Sequence, residues 1–165
     1  MISERKITTK VREVSANELR GACILKFADR ATSAIPDFGI LALGHTFWYE
    51  MKLRRAGESL KEITKVNQLT LGHQIHTTTG GRCWTLVYEE EPKRTTVWVP
   101  RALFAHLYPK MAGETAVIFG NPCELDYCDI GPHGVNLKRV MEIYGGFWVP
   151  GWEYGVAARL AQAYA

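Results

Sequence analysis

The chain has 165 residues, 47% apolar and 22% charged, the size and mix of one globular domain, which excludes a wholly disordered chain. No apolar run reaches the roughly 18 residues that span a bilayer, and the opening MISERKITTK lacks the apolar core of a secretory signal, so a cytoplasmic protein with no membrane partner is expected. A formal charge of +3 permits a nucleic-acid partner without requiring one.

Taken in chain order, residues 1–14 are polar and poorly patterned. Residues 15–30 predict a helix, because Ser15 and Glu18 have capping-box spacing and Leu19, Cys23 and Phe27 fall on one face. Residues 36–52 predict a β-hairpin turning at Gly44-His45, with period-two alternation on both arms. A polar bridge over 53–62 leads into a helix over 63–81, stopped at Gly80-Gly81. Strands are expected over 82–90 and 94–100, a helix over 101–111 and a strand over 114–120. Residues 121–152, rich in Gly, Pro and aromatics, resist assignment, and a helix closes the chain over 152–165. This order predicts an α/β fold with a mixed sheet.

The hairpin carries Asp37, Glu50 and Lys52 among apolar neighbours. A two-residue turn at Gly44-His45 sets Gly39 against Glu50 and Asp37 against Lys52. All three charged residues then share one face, with Asp37 and Glu50 diagonal neighbours roughly 7–8 Å apart. Two such carboxylates can reach one cation, and magnesium takes only one or two. Gly39, with no side chain, leaves room for the ion. Lys52 beside it can hold an attacking water or stabilise charge on a phosphate. The alternative is plain. Asp37 begins a strand after Pro36, and Glu50 and Lys52 form a solvated edge whose ion pair contributes little. Polarity alone leaves both open.

The spacing adds a resemblance. Pro36-Asp37, twelve residues, then Glu50-Met51-Lys52 resembles the PD-(D/E)XK nuclease signature. With the preceding Glu18, and with Gln68 twelve residues before Gly80-Gly81 and the strand RCWTLVY, residues 15–88 are similar to the VRR-NUC and Holliday-junction-resolvase-like branch of that superfamily. Ser33-Ala34-Ile35 replaces the glycine-rich approach of many relatives. The resemblance implies a restriction-endonuclease-like α/β sandwich, its central mixed sheet flanked by helices. The chain would be one nuclease domain over 1–165, with its core at 15–88 and a C-terminal α/β extension over 89–165. The implied activity is metal-dependent DNA endonuclease, on branched or junction DNA. Asp37 and Glu50 would hold magnesium or manganese with the Met51 carbonyl, and Lys52 would orient the attacking water. Glu18 matches an acidic residue that many relatives carry on the first helix, although the capping box explains it equally. Gln68 would support the site from the next helix, or is an exposed helical glutamine. The compact size fits a phage-like or mobile-element nuclease, and a homodimer would supply two sites for two strands.

Arg30, Arg54, Arg55, Lys61 and Lys65 flank the motif, as a phosphate backbone would require, with Arg20 and Lys26 nearby; interleaved Glu58 and Glu62 equally suit a solvated face. Trp48 shares the motif face, and is read as packed more readily than as a base-stacking platform. His73 and His76 are one helical turn apart but have no third ligand, and His45 sits in the turn. The four cysteines are scattered; the C-x4-C of Cys123 and Cys128 lacks a second pair, so neither disulfide nor zinc is expected and buried thiols are. Two rivals remain: a non-catalytic DNA-binding module that retains the nuclease fold, and a protein-interaction domain with an acidic edge.

Overall fold

The computed structural model describes residues 1–27, 34–112, 121–131 and 134–165. Its first element is a helix where none was expected. Ser3 caps it by accepting the Lys6 N–H at 3.3 Å, and α1 runs Glu4–Glu18. Ile7, Val11 and Ser15 form its buried face. Its threonines remain helix-compatible because Thr8 and Thr9 donate their hydroxyls back to the Glu4 and Arg5 carbonyls. The helix expected over 15–30 is therefore corrected over 15–27, and its last residues, 28–30, lie outside the described residues. Ser15 is no cap: it lies inside α1 and donates its hydroxyl to the Val11 carbonyl at 2.7 Å. Beyond the left-handed Gly21 (φ 77°) the chain enters strand β1, Cys23–Lys26.

β2 (Phe38–Ala42) and β3 (His45–Arg54) form the expected hairpin. The turn residues are Leu43 and Gly44, at φ 55° and 78°, as a type I′ turn demands, one position earlier than expected. The register shifts by two: Phe38 faces Tyr49 and Gly39 faces Trp48. Because the side-chain period is also two, each residue keeps its face.

A short helix α2 (Leu60–Ile63), opened by a Ser59–Glu62 capping box, precedes α3 (Val66–Thr78). The single helix expected over 63–81 thus breaks at Thr64-Lys65, and Gly80 and Gly81 end it at φ 68° and 96°. β4 (Cys83–Glu89) and β5 (Arg94–Trp98) follow as expected. The helical stretch after them splits into α4 (Pro100–Leu107) and α5 (Pro109–Ala112). The strand expected over 114–120 lies outside the described residues. The 121–152 stretch contributes β6 (Cys123–Glu124), a 3-10 turn (Tyr127–Ile130), α6 (Leu137–Tyr144) and β7 (Gly146–Pro150), and α7 (Val156–Ala163) comes last.

Among the described residues, seven strands form one open mixed sheet, β1-β2-β3-β4-β5-β7-β6, parallel at β3/β4 and β6/β7 and antiparallel elsewhere. Alternation sends Phe47, Tyr49, Met51 and Leu53 into the larger core with Ile7, Val11 and the residues of α6 and α7. The opposite face carries Glu50, Lys52 and Arg54. There Val87 and Trp98 pack with Leu69 of α3 and Ala102 and Leu103 of α4. No described helix is long and apolar enough to cross a membrane.

Candidate active site

The site lies where β2 ends and β3 continues. β2 pairs with β3 only as far as Phe38–Tyr49, so the N–H groups of Met51 and Leu53 lack a strand partner. Two carboxylates take its place. Asp37 Oδ2 accepts the Met51 N–H at 2.7 Å, and Glu4 Oε2 accepts the Leu53 N–H at 3.1 Å. Buried peptide donors must be satisfied, and here the acceptors are ionisable. The Met51 side chain is in the core, 1% exposed; its carbonyl leaves β3 on the same edge as its N–H, toward Asp37.

On the adjoining face, Glu50 and Lys52 are each only 8% exposed, and Lys52 Nζ stands 2.9 Å from Glu50 Oε1. This is not the solvated edge of the plain alternative. Burial pushes the Glu50 carboxyl up to about 7, the Asp37 charge pushes the same way, and the attraction of Lys52 offsets only part of the rise. Burial also raises Asp37, against the Met51 hydrogen bond, with Glu4 raising it further and Lys52 lowering it. The exposed Glu4, the half-buried Asp37 and the buried Glu50 thus put like charge on one another, with Lys52 the cation among them.

Oxygen donors of this kind suit magnesium or manganese rather than zinc. A cation between Asp37 and Glu50 would offset the burial that raises both and the Asp37 charge that raises Glu50 further, so the donor chemistry fits such an ion. Among the described residues no group of three His, Cys, Asp or Glu side chains is gathered tightly enough to hold a metal alone; solvent would complete the shell, as magnesium usually requires.

Gly39 does not leave room for an ion. It faces Trp48, and a Cβ there would meet the Phe27 ring at 3.1 Å. The glycine admits Phe27, which stacks on Trp48 at 4.9 Å, so Trp48 is covered rather than a free platform.

Glu18 is displaced from the site. It sits at the opposite end of α1 from Glu4, about 21 Å away at 1.5 Å per residue, where its charge acts on Arg159. Glu4 is the acidic residue of the first helix that reaches the motif. The one local signal for it is an N-cap serine followed by an acid in the first turn, which marks a helix start only where a buried stripe follows.

Gln68 is half-buried at the start of α3, in the layer over the Glu50–Lys52 face. Arg54 is tied to Glu89 Oε1 at 2.5 Å and to the Glu58 carbonyl at 2.7 Å. Arg55 receives a Glu58 carboxylate on its N–H and reaches the Ile2 carbonyl. Lys61 is exposed above the Tyr108 ring and Lys65 is exposed ahead of α3. Arg30 lies outside the described residues.

His76 is committed to the Cys83 carbonyl at 2.9 Å, with burial lowering its pKa, and His45 meets Arg82 at 3.3 Å. All four cysteines are free, but only Cys83 is buried; Cys23 and Cys128 are exposed. Compared with known proteins, the chain matches no family model and no curated sequence.

Proposed function

We propose that the chain is a metal-dependent DNA endonuclease of the PD-(D/E)XK type, with a restriction-endonuclease-like arrangement of its sheet and helices. The observation that carries this reading is the buried Glu50–Lys52 pair, with the half-buried Asp37 and the exposed Glu4 tied to the β3 edge beside it, at the point where β3 loses its partner strand. Burying repelling carboxylates costs stability, and a site that binds a cation accounts for that cost.

Asp37, Glu50 and the Met51 carbonyl would hold magnesium or manganese. When bound, the ion supplies charge for the phosphoryl oxygens and acidifies water. Glu4 fixes the β3 edge through Leu53 and adds negative charge beside Asp37. Lys52, anchored on Glu50, orients the attacking water and offers an ammonium to charge that grows on the phosphate. Branched or junction DNA is the substrate class that the resemblance suggests, and a homodimer would let both strands be cut.

One observation favours a second reading, a non-catalytic DNA-binding module. Asp37 and Glu50 are already engaged by protein donors, Met51 N–H and Lys52 Nζ. Cleavage of duplex, single-stranded, flap and four-way-junction DNA with magnesium, manganese or EDTA separates the two. Metal-dependent cutting that drops by at least about 100-fold in Lys52→Ala, with DNA binding retained, supports the enzyme. Binding without cutting under every metal condition removes it in favour of the module.

A further inference from the structure

Beyond Lys52, the same sheet face hollows into a cavity of about 350 Å³. Its floor is Glu89, 2% exposed, which faces Arg54 across β3/β4 and Arg94 across β4/β5. Glu89 Oε1 accepts Arg54 Nη1 at 2.5 Å. Its Oε2 accepts Arg94 Nε, and the Thr96 hydroxyl at 3.0 Å.

One carboxylate thus fixes two guanidinium forks. Arg54 is held a second time, its Nε donating to the Glu58 carbonyl, and the Arg94 fork lies against the Trp148 ring. Arg54 Nη2 and both terminal nitrogens of Arg94 have no protein partner among the described residues, on side chains still 30% and 28% exposed. Lys61, His106, Asn121 and the buried Trp98 also line the cavity. The cations Arg54, Arg94 and Lys61 against the one carboxylate Glu89 leave a net charge of +2 in the cavity lining, His106 taken as neutral.

A buried ion cluster of this kind is weak evidence for stabilisation. Its geometric result is two oriented, pre-set forks with unused donors, which is what capture of a phosphate uses. Arg54 is two residues past Lys52 on β3, about 6.7 Å along the strand. That is close to two nucleotide rises of about 3.4 Å each.

We propose that this cavity binds a phosphate group of the substrate strand, one to two nucleotides from the bond presented to Lys52. The assignment of the strand rests on the nuclease reading; the assignment of a phosphate rests on the cavity. Arg94, which carried no sequence motif, becomes a substrate-binding residue, and Glu89 positions it.

Salt-dependent DNA binding in EDTA tests this with the full-length chain. Each lost phosphate contact reduces the slope of log K against log salt by about 1. Lys61→Ala, at an exposed position that leaves the fold alone, and Arg94→Ala are each expected to lower the slope by about 1 and weaken binding about 10-fold. Arg94→Lys keeps the charge without the fork and should recover part of the affinity. Lys10→Ala, on the opposite side of the sheet, should change neither quantity. Oligonucleotides with and without a terminal phosphate identify the source: equal losses on both assign an internal phosphodiester, and losses confined to the phosphorylated strand assign a terminal phosphate. Wild type that binds DNA with slopes unchanged in Lys61→Ala and Arg94→Ala overturns the subsite and leaves the nuclease intact. If wild type binds no DNA, titration with inorganic phosphate decides. A rise in Tm that both variants abolish keeps the subsite and removes the nuclease, and no rise removes the subsite as well.

Discussion

Glu50→Gln isolates what burying this site costs in the absence of an ion. In the folded chain Glu50 titrates at about 7 against an ordinary value of 4.5. The folded value is the higher one, so the folded chain retains a proton that the unfolded chain releases between those limits. The stabilising contribution is fully present below pH 4.5 and is lost as pH rises through about 7. At 1.36 kcal/mol per pH unit, the distance from 4.5 to about 7 corresponds to about 3 kcal/mol. Glutamine has the same shape and no charge to bury. Wild type and Glu50→Gln should therefore unfold alike at pH 4, and the variant should be more stable by about 3 kcal/mol at pH 8.5. With an m-value of about 2 kcal/mol/M, the urea midpoint should differ by about 1.5 M at the higher pH. Equilibrium urea unfolding in EDTA at pH 4, 6 and 8.5, followed by tryptophan fluorescence, reads this directly. A difference between the two proteins that stays constant across that range refutes the reasoning, because the effect would then not arise from ionisation of Glu50.

Magnesium should raise the Tm of wild type more at pH 8 than at pH 5.5, because the ion competes with the protons that Glu50 and Asp37 otherwise retain; an equal rise in Glu50→Gln would count against an ion held there. Asp37→Asn keeps an oxygen for the Met51 N–H and should leave stability within about 0.5 kcal/mol, while Asp37→Ala leaves that donor unpaired and should cost about 1–3 kcal/mol, both read by urea unfolding. Both Asp37 variants should lose cleavage. Leu43→Asn should stabilise by about 0.5–1 kcal/mol, seen as a higher Tm, because Leu43 holds a left-handed turn conformation at φ 55° while 55% exposed.

Strands with a clear period of two were legible. The hairpin and the pair over 82–100 formed where expected, and a turn misplaced by one position moved the register by two, which left Glu50 and Lys52 on their assigned face, while Asp37 stands ahead of β2 and turns to the edge of β3. A slip of one would have inverted the site. The first helix was not legible because its buried stripe is only Ile7, Val11 and Ser15 amid polar residues, so its stability comes from docking rather than composition. That error carried Glu18 to the site in place of Glu4. Arg94 and Glu89 escaped notice for a different reason. They come together across neighbouring strands, and cross-strand pairing beyond the hairpin is invisible to spacing along the chain. The short elements of 121–152 have too few residues for any period to emerge.

The carboxylates of Asp37 and Glu4 grip the main chain of β3 at positions 51 and 53, while the side chains at those positions point into the opposite core. Two kinds of selection are thereby uncoupled along one strand. The peptide groups at 51 and 53 are tethered whatever residue is attached to them, proline excepted. Methionine and leucine there are free to drift among apolar types that fill the same volume, and a search for distant kin should tolerate variation at both positions while holding 50 and 52 fixed.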